Sequence, residues 1–129
     1  MYGDDPERVR NTLESMIAYC ERIAYHMHRF GGREEFLKDW SYQDACVMIL
    51  GQIGESAKTI EPWLKEHRDY DWSIVIRFRD FAYHNYSKTK YAMVWKMIDE
   101  DIPELMGVLK DLLQTAESEM VSRNVDSDP

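Results

Sequence analysis

Apolar residues recur along this chain at alternating steps of four and three, the period of helices that bury one face. Val9, Leu13, Met16, Cys20, Ile23, Met27 and Phe30 form the first such stripe. Asp5-Pro6 ahead of it provides an N-cap and a proline at the first helical position, and Gly31-Gly32 behind it provides a stop. A connector over 33–40 follows, with room for a short helical turn at Glu34–Asp39. Ser41 with Asp44 resembles a capping box and predicts the start of a second long helix, whose stripe is Cys46, Leu50, Ile53, Ala57, Ile60 and Leu64. Gly51 and Gly54 weaken an isolated helix, so they point to close helix contact, and Pro62 should kink or end the element. A third helix is expected from Trp72 to Tyr86. A fourth starts near Lys88, with Tyr91, Trp95, Ile98, Ile102, Leu105, Leu109 and Leu112 in its stripe and Pro103 bending or splitting it. No period-two strand pattern and no internal repeat occurs. The economical architecture is all-α, an antiparallel four-helix bundle over residues 1–117, with 118–129 as a polar, frayed tail.

The third helix is apolar over more of its circumference than one core contact requires. Ile74, Val75, Phe78, Phe81 and Ala82 make a bundle-facing stripe, and Trp72, Ile76, Arg79, Tyr83 and Tyr86 make a second one. A helix with two sticky faces is covered on two sides. The second cover is either another copy of the chain across a two-fold axis, giving a homodimer through the third helix, or the 65–71 loop folding over Trp72 and Tyr83.

Length and charge sharpen this outline. The 129 residues suffice for one domain with a genuine core. No stretch is long and apolar enough for a membrane span, and the acidic N-terminus lacks a signal-peptide layout, so the expected compartment is the cytoplasm. Cys20 and Cys46 fall on helical stripes and read as small buried hydrophobes. The net charge is −8, yet residues 77–96 hold Arg77, Arg79, Lys88, Lys90 and Lys96 against Asp80 alone. That local surplus of four leaves −12 on the remainder, a distribution suited to one localised anion site and unsuited to a phosphate-tracking surface.

The same stretch carries the chemistry-capable side chains. Asp80 and His84 stand at i,i+4 and can hydrogen-bond, which would orient the imidazole. Arg79 and His84 are separated by about 140° around an ideal helix and about 7.5 Å along it. A joint site therefore needs a helix end near His84 or a cleft shared between protomers. Elsewhere the signals are weaker. His26 and His28 point to different faces and make no metal site, and His67 reads as a solvated residue among charges. Glu55 either supports the third helix through a hydrogen bond or is simply solvated. No phosphate-binding glycine loop is present, so the chain is not expected to bind ATP as a catalyst, and no cofactor and no metal are expected.

The arrangement R-x4-H-x-Y, with Asp80 directly after the arginine, resembles the motif of the HEPN superfamily, and in particular the HepT-like toxins of prokaryotic toxin–antitoxin pairs. "IGESAK" (53–58), Asp71-Trp72 and "VWKMIDEDIPEL" (94–105) are similar to family segments on either side, so the resemblance spans most of the chain. It implies a HEPN-like helical bundle that dimerises at its motif, and metal-independent cleavage of RNA in active members. RNA supplies its own nucleophile, the 2′-hydroxyl. In that setting His84 would exchange the proton, Arg79 would hold the phosphate and Asp80 would orient His84. The resemblance further implies that Tyr86 is the target of a partner nucleotidyltransferase acting as antitoxin, which transfers AMP from ATP to the phenol. This chain departs from many relatives after the tyrosine, where Ser87-Lys88-Thr89-Lys90 replaces a glycine-containing turn. Lys88 and Lys90, with Tyr83, are either contacts for RNA or nucleotide or solvated side chains. The alternative function is a non-catalytic subunit that binds nucleotide or substrate for a nucleotidyltransferase partner.

Overall fold

The computed structural model describes residues 5–83 and 88–127, with side chains over 5–80 and 90–123. Helix α1 spans Pro6–Phe30, α2 Arg33–Lys38, α3 Trp40–Thr59, α4 Glu61–His67, α5 Trp72–Tyr83, α6 Lys88–Lys96 and α7 Ile102–Ser127, and a π-helical turn at Met97–Asp101 joins the last two. The four long arms of the bundle are α1, α3, α5 and the continuous α6–π–α7 segment. The all-α bundle with an extra turn in the 33–40 connector is as the periodicity predicts. Among the described residues no helix is long and apolar enough to cross a membrane.

Local chemistry explains most boundaries. The Asp5 carboxylate accepts from the Glu7 N–H at 3.1 Å, and Pro6 begins α1. The helix ends at Gly31, whose φ of 109° lies in the left-handed region and whose N–H donates to the Met27 carbonyl at 3.0 Å. The start of α3 differs from the expected Ser41 cap. Asp39 is the cap, accepting from Ser41 N–H at 3.0 Å and Tyr42 N–H at 3.2 Å, because a carboxylate one residue ahead of Trp40 reaches both orphan donors. Pro62 ends the second long helix as its missing N–H requires. The chain turns at Ile60 and resumes as α4. Pro103 acts through a wider turn. Its ring would crowd the carbonyl of Asp99, four residues back, and the π register relieves this, with the Ile102 N–H bonding the Met97 carbonyl five back.

The core is contributed evenly. Leu13, Met16 and Ile23 of α1 meet Leu50 and Ile53 of α3, Val75 and Phe78 of α5, and Ile98, Leu105 and Leu109 of the last arm, all buried. Cys20 and Cys46 are free and buried, and burial pushes each thiol up to about 12, with Glu21 adding to the effect at Cys20. Buried polar groups in the connector are satisfied. The Tyr42 hydroxyl donates to the Gly31 carbonyl at 2.8 Å, and Gln43 Nε2 donates to the Phe36 carbonyl at 2.9 Å.

Two expectations about faces change. Trp72 is only 2% exposed within a single chain, its indole N–H donating to the Arg68 carbonyl at 3.1 Å and its ring lying 4.9 Å from that of Tyr70. It therefore packs under the loop before α5 and does not belong to an outward stripe. Ile74, expected to face the bundle, is exposed, because the buried stripe of α5 runs through Trp72, Val75 and Phe78.

Residues 118–127, expected as a frayed polar tail, are helical within α7. Glu119 accepts from the Trp63 indole at 3.2 Å through Oε2, and its Oε1 pairs with His67 Nε2. His67 also stacks on Trp63 at 4.0 Å between centroids, with Nδ1 2.9 Å from the Trp63 carbonyl. The reading of His67 as a solvated residue is thereby replaced: it is a half-buried link between α4 and α7.

Candidate active site on α5

Arg79 sits on α5 where that helix passes close against Gly54 of α3. A Cβ placed on Gly54 would lie 2.7 Å from the Arg79 backbone nitrogen, 2.9 Å from the Ile76 carbonyl oxygen and 3.1 Å from the Val75 carbonyl oxygen. Only a residue without a side chain permits this approach, so Gly54 fixes how near the arginine's backbone stands to α3. The next residue on α3 then reaches the side chain. Glu55 Oε1 is 2.9 Å from Arg79 Nε, in a half-buried ion pair. Nε finds no acceptor in line with its N–H, so the contact is a charge pairing and not a directed hydrogen bond. At this exposure such a pair contributes less than about 1 kcal/mol to stability, and its consequence is positional. Neither reading open for Glu55 holds as stated: it meets α5 through an ion pair with Arg79, not through the expected hydrogen bond.

The other predicted residues are placed as follows. Asp80 is exposed on α5, and Lys90 is exposed on α6. Tyr83 ends α5 and Lys88 begins α6. His84 and Tyr86 lie outside the described residues, as do the side chains of Tyr83 and Lys88. The observed grouping is thus Arg79 with Glu55 over Gly54, and sequence spacing flagged all three, the glycine as a contact point and the glutamate as one of two alternatives.

Two cavities flank α5 and α3, and both carry more acidic than basic lining residues. A cavity of about 190 Å³ between α5 and α7 is lined by Tyr70, Asp71, Phe78, Asp101 and Glu104. Burial, then Glu104 and Asp101, push the Tyr70 phenol up to about 12. Asp101 is raised by burial and by Glu100 and Glu104, with Lys96 opposing. Three carboxylates lining one small cavity mark a place hostile to phosphate. On the other side, a groove of about 510 Å³ runs between α1 and α3 and reaches Glu55.

On α3, Trp40 and Met48 stand eight residues apart on one stripe and are 74% and 67% exposed, and that stripe continues to Glu55. Asp44, also exposed, stands between them on the same stripe, so the face is mixed in character.

Comparison with known proteins finds relatives along most of the chain. The chain is 36% identical over 112 residues to "Probable ribonuclease HepT" of Thermococcus cleftensis, covering 86% of this chain and 94% of the relative. It is 31% identical over 106 residues to "Putative RNase TTE0752" of Caldanaerobacter subterraneus subsp. tengcongensis, covering 81% and 94%. No solved structure matches the chain significantly. The profile of the family described as Ribonuclease HepT-like matches residues 16–112, a span that includes Gly54, Glu55, Arg79 and the whole R-x4-H-x-Y segment. The chain belongs to the HepT-like ribonuclease family of the HEPN superfamily.

Proposed function

We propose that this chain is a metal-independent endoribonuclease, the toxin of a type VII-like toxin–antitoxin pair, acting through Arg79, Asp80 and His84. The observation that carries the reading is Arg79, held by Glu55 at 2.9 Å on a helix pressed against Gly54, within a chain of the HepT-like family. Glu55 engages the guanidinium at Nε, and the fork's terminal nitrogens are the pair whose spacing fits two phosphate oxygens. His84 takes the proton from a ribose 2′-hydroxyl, whose oxygen attacks the adjacent phosphorus. The P–O5′ bond breaks, a proton returns to the leaving O5′, and the products are a 2′,3′-cyclic phosphate and a 5′-hydroxyl. Arg79 stabilises the charge that gathers on the phosphoryl oxygens in the transition state. Asp80 orients the imidazole one helical turn away.

A second copy of the chain completes the site. Two His84 residues across a two-fold axis divide the base and acid roles that one histidine must otherwise perform in turn. The homodimer runs through α5, the third of the predicted helices, on which Ile74 is exposed, whereas Trp72, packed inside its own chain, takes no part.

Tyr86 is the switch. A partner nucleotidyltransferase transfers AMP to its phenol, adding bulk and a negative phosphate beside Arg79 and His84. Lys88, Lys90 and Tyr83 are the further contacts for RNA or for the attached nucleotide. Expression of the chain alone should arrest growth, and Arg79→Ala or His84→Ala should relieve it. Equal toxicity of wild type and both variants defeats the catalytic reading. Intact mass after incubation with the partner and ATP should rise in AMP-sized steps, and Tyr86→Phe should abolish the gain. An unchanged wild-type mass with an active partner counts against the switch.

A further inference from the structure

We infer that the polar groove between α1 and α3 binds the ribose and base of a nucleotide next to the phosphate held by Arg79. The inference rests on the ribonuclease reading for the identity of the ligand as single-stranded RNA. The groove and the arginine meet at one side chain, because Glu55 lines the groove and stands 2.9 Å from Arg79 Nε. Its volume of about 510 Å³ lies within the range of about 300–1,000 Å³ typical of pockets for small ligands.

The lining chemistry selects the neutral parts of a nucleotide. Asn11 and Ser15 from α1 and Ser56 and Thr59 from α3 present uncharged donors and acceptors. The Asn11 side-chain oxygen accepts from Arg10 at 3.1 Å, which leaves its amide N–H groups as donors toward a base edge. The Thr59 hydroxyl donates to the Ser56 carbonyl at 2.7 Å, so its oxygen lone pairs are the groups that meet a ribose 2′-hydroxyl. Tyr19 gives the wall an aromatic surface, half-buried and with Arg22 5.8 Å from its ring centroid. Stacking on such a surface tolerates any base.

The charge pattern sets the limit of the site. Asp5 and Glu7 stand at the α1 end beside Arg8, so a run of phosphates would be repelled there. The groove therefore suits a single flanking nucleotide and not a continuing backbone. Glu55, the third acid of the lining, brings Arg79 to the groove's wall, and the phosphate is held by Arg79 outside the groove.

The test measures binding separately from cleavage. In a His84→Ala background, the affinity for a short fluorescein-labelled single-stranded RNA is read by anisotropy, with Asn11→Ala and Tyr19→Ala added singly. Asn11 is exposed, so its variant folds as the parent does. Tyr19→Phe accompanies Tyr19→Ala to separate loss of the ring from loss of packing. Expected is a dissociation constant raised at least about fivefold by Tyr19→Ala, largely restored by Tyr19→Phe, and raised severalfold by Asn11→Ala. Affinities equal to the parent in both Ala variants, or no RNA binding by the parent, overturn the inference. If the wild-type chain cleaves RNA while the Ala variants bind like the parent, the groove is wrong and the ribonuclease reading stands. If binding depends on the groove and the wild type cleaves nothing, the groove stands and the ribonuclease reading falls.

Discussion

Replacing Gly54 with alanine should damage both the bundle and the site, and the geometry sets the size of each effect. The added Cβ would stand 2.7 Å from Arg79 N, 2.9 Å from the Ile76 oxygen and 3.1 Å from the Val75 oxygen. All three are backbone atoms, so no side-chain rotation relieves the contact. Restoring the nearest one to an ordinary 3.4 Å moves α5 away from α3 by about 0.7 Å. Overpacking of this kind costs up to about 3 kcal/mol. Alanine recovers about 1 kcal/mol of helix propensity, leaving a net loss of about 2 kcal/mol. For a domain of this size that is roughly 6–10 °C in Tm. The same displacement carries Arg79 with it, and a misplacement approaching 1 Å at a positioning group costs on the order of 100-fold in rate. Gly107 is the internal control. It lies inside α7, and a Cβ there meets nothing within 4 Å. Gly107→Ala should therefore raise Tm by a few degrees and leave RNA cleavage intact. Thermal melts and cleavage rates of the two variants, measured side by side, check the reasoning. A Gly54→Ala protein as stable and as active as the wild type would refute it.

Three other outcomes follow from the contacts. Glu55→Ala should lower cleavage roughly tenfold while shifting stability by less than about 1 kcal/mol, since the half-exposed ion pair positions Arg79 more than it stabilises the fold. Comparing kcat with Tm for Glu55→Ala and Glu55→Gln checks this, and a large Tm loss with unchanged rate counts against it. Ending the chain after Glu117 removes Glu119 from Trp63 and His67, leaving half-buried donors without their acceptor, so urea unfolding should show a loss of about 1–3 kcal/mol. No loss would mean that 118–129 is dispensable. Cys20 and Cys46, with thiols raised from 9.0 to about 12, stay protonated in the fold while the unfolded chain ionises above pH 9. Tyr42 and Tyr70 act in the same direction, raised from 10.0 to about 12. Stability is thus fully present below pH 9 and falls as pH rises toward 12, which urea melts across that range will show. Invariant midpoints up to pH 11 would contradict the burial argument.

The arms of the bundle are readable because four-three spacing reports a buried stripe directly. Gly31, Pro62 and Pro103 act through covalent geometry that no tertiary context alters. What escapes the sequence depends on contacts between segments far apart in the chain. His67 reads as solvated among Lys65, Glu66 and Arg68, since its partner Glu119 lies 52 residues away. Trp72 reads as part of an outward stripe because a helical wheel ignores the loop, and Arg68 and Tyr70 cover it from that loop. Asp39 displaces Ser41 as a cap because two neighbouring residues could each serve, and the choice rests on where the chain leaves α2. At the candidate site, spacing singles out Arg79, Asp80, His84 and Tyr86, and the fold adds the contact of Gly54 and Glu55 with Arg79.

Analysis of RNA ends is the most direct test of the account. The purified chain, incubated with single-stranded RNA in excess chelator, should yield fragments carrying 2′,3′-cyclic phosphate and 5′-hydroxyl ends. Arg79→Ala and His84→Ala proteins prepared identically should yield none. Intact RNA with the wild-type chain, cleavage abolished by chelator, or equal cleavage by the two variants would contradict the proposed site.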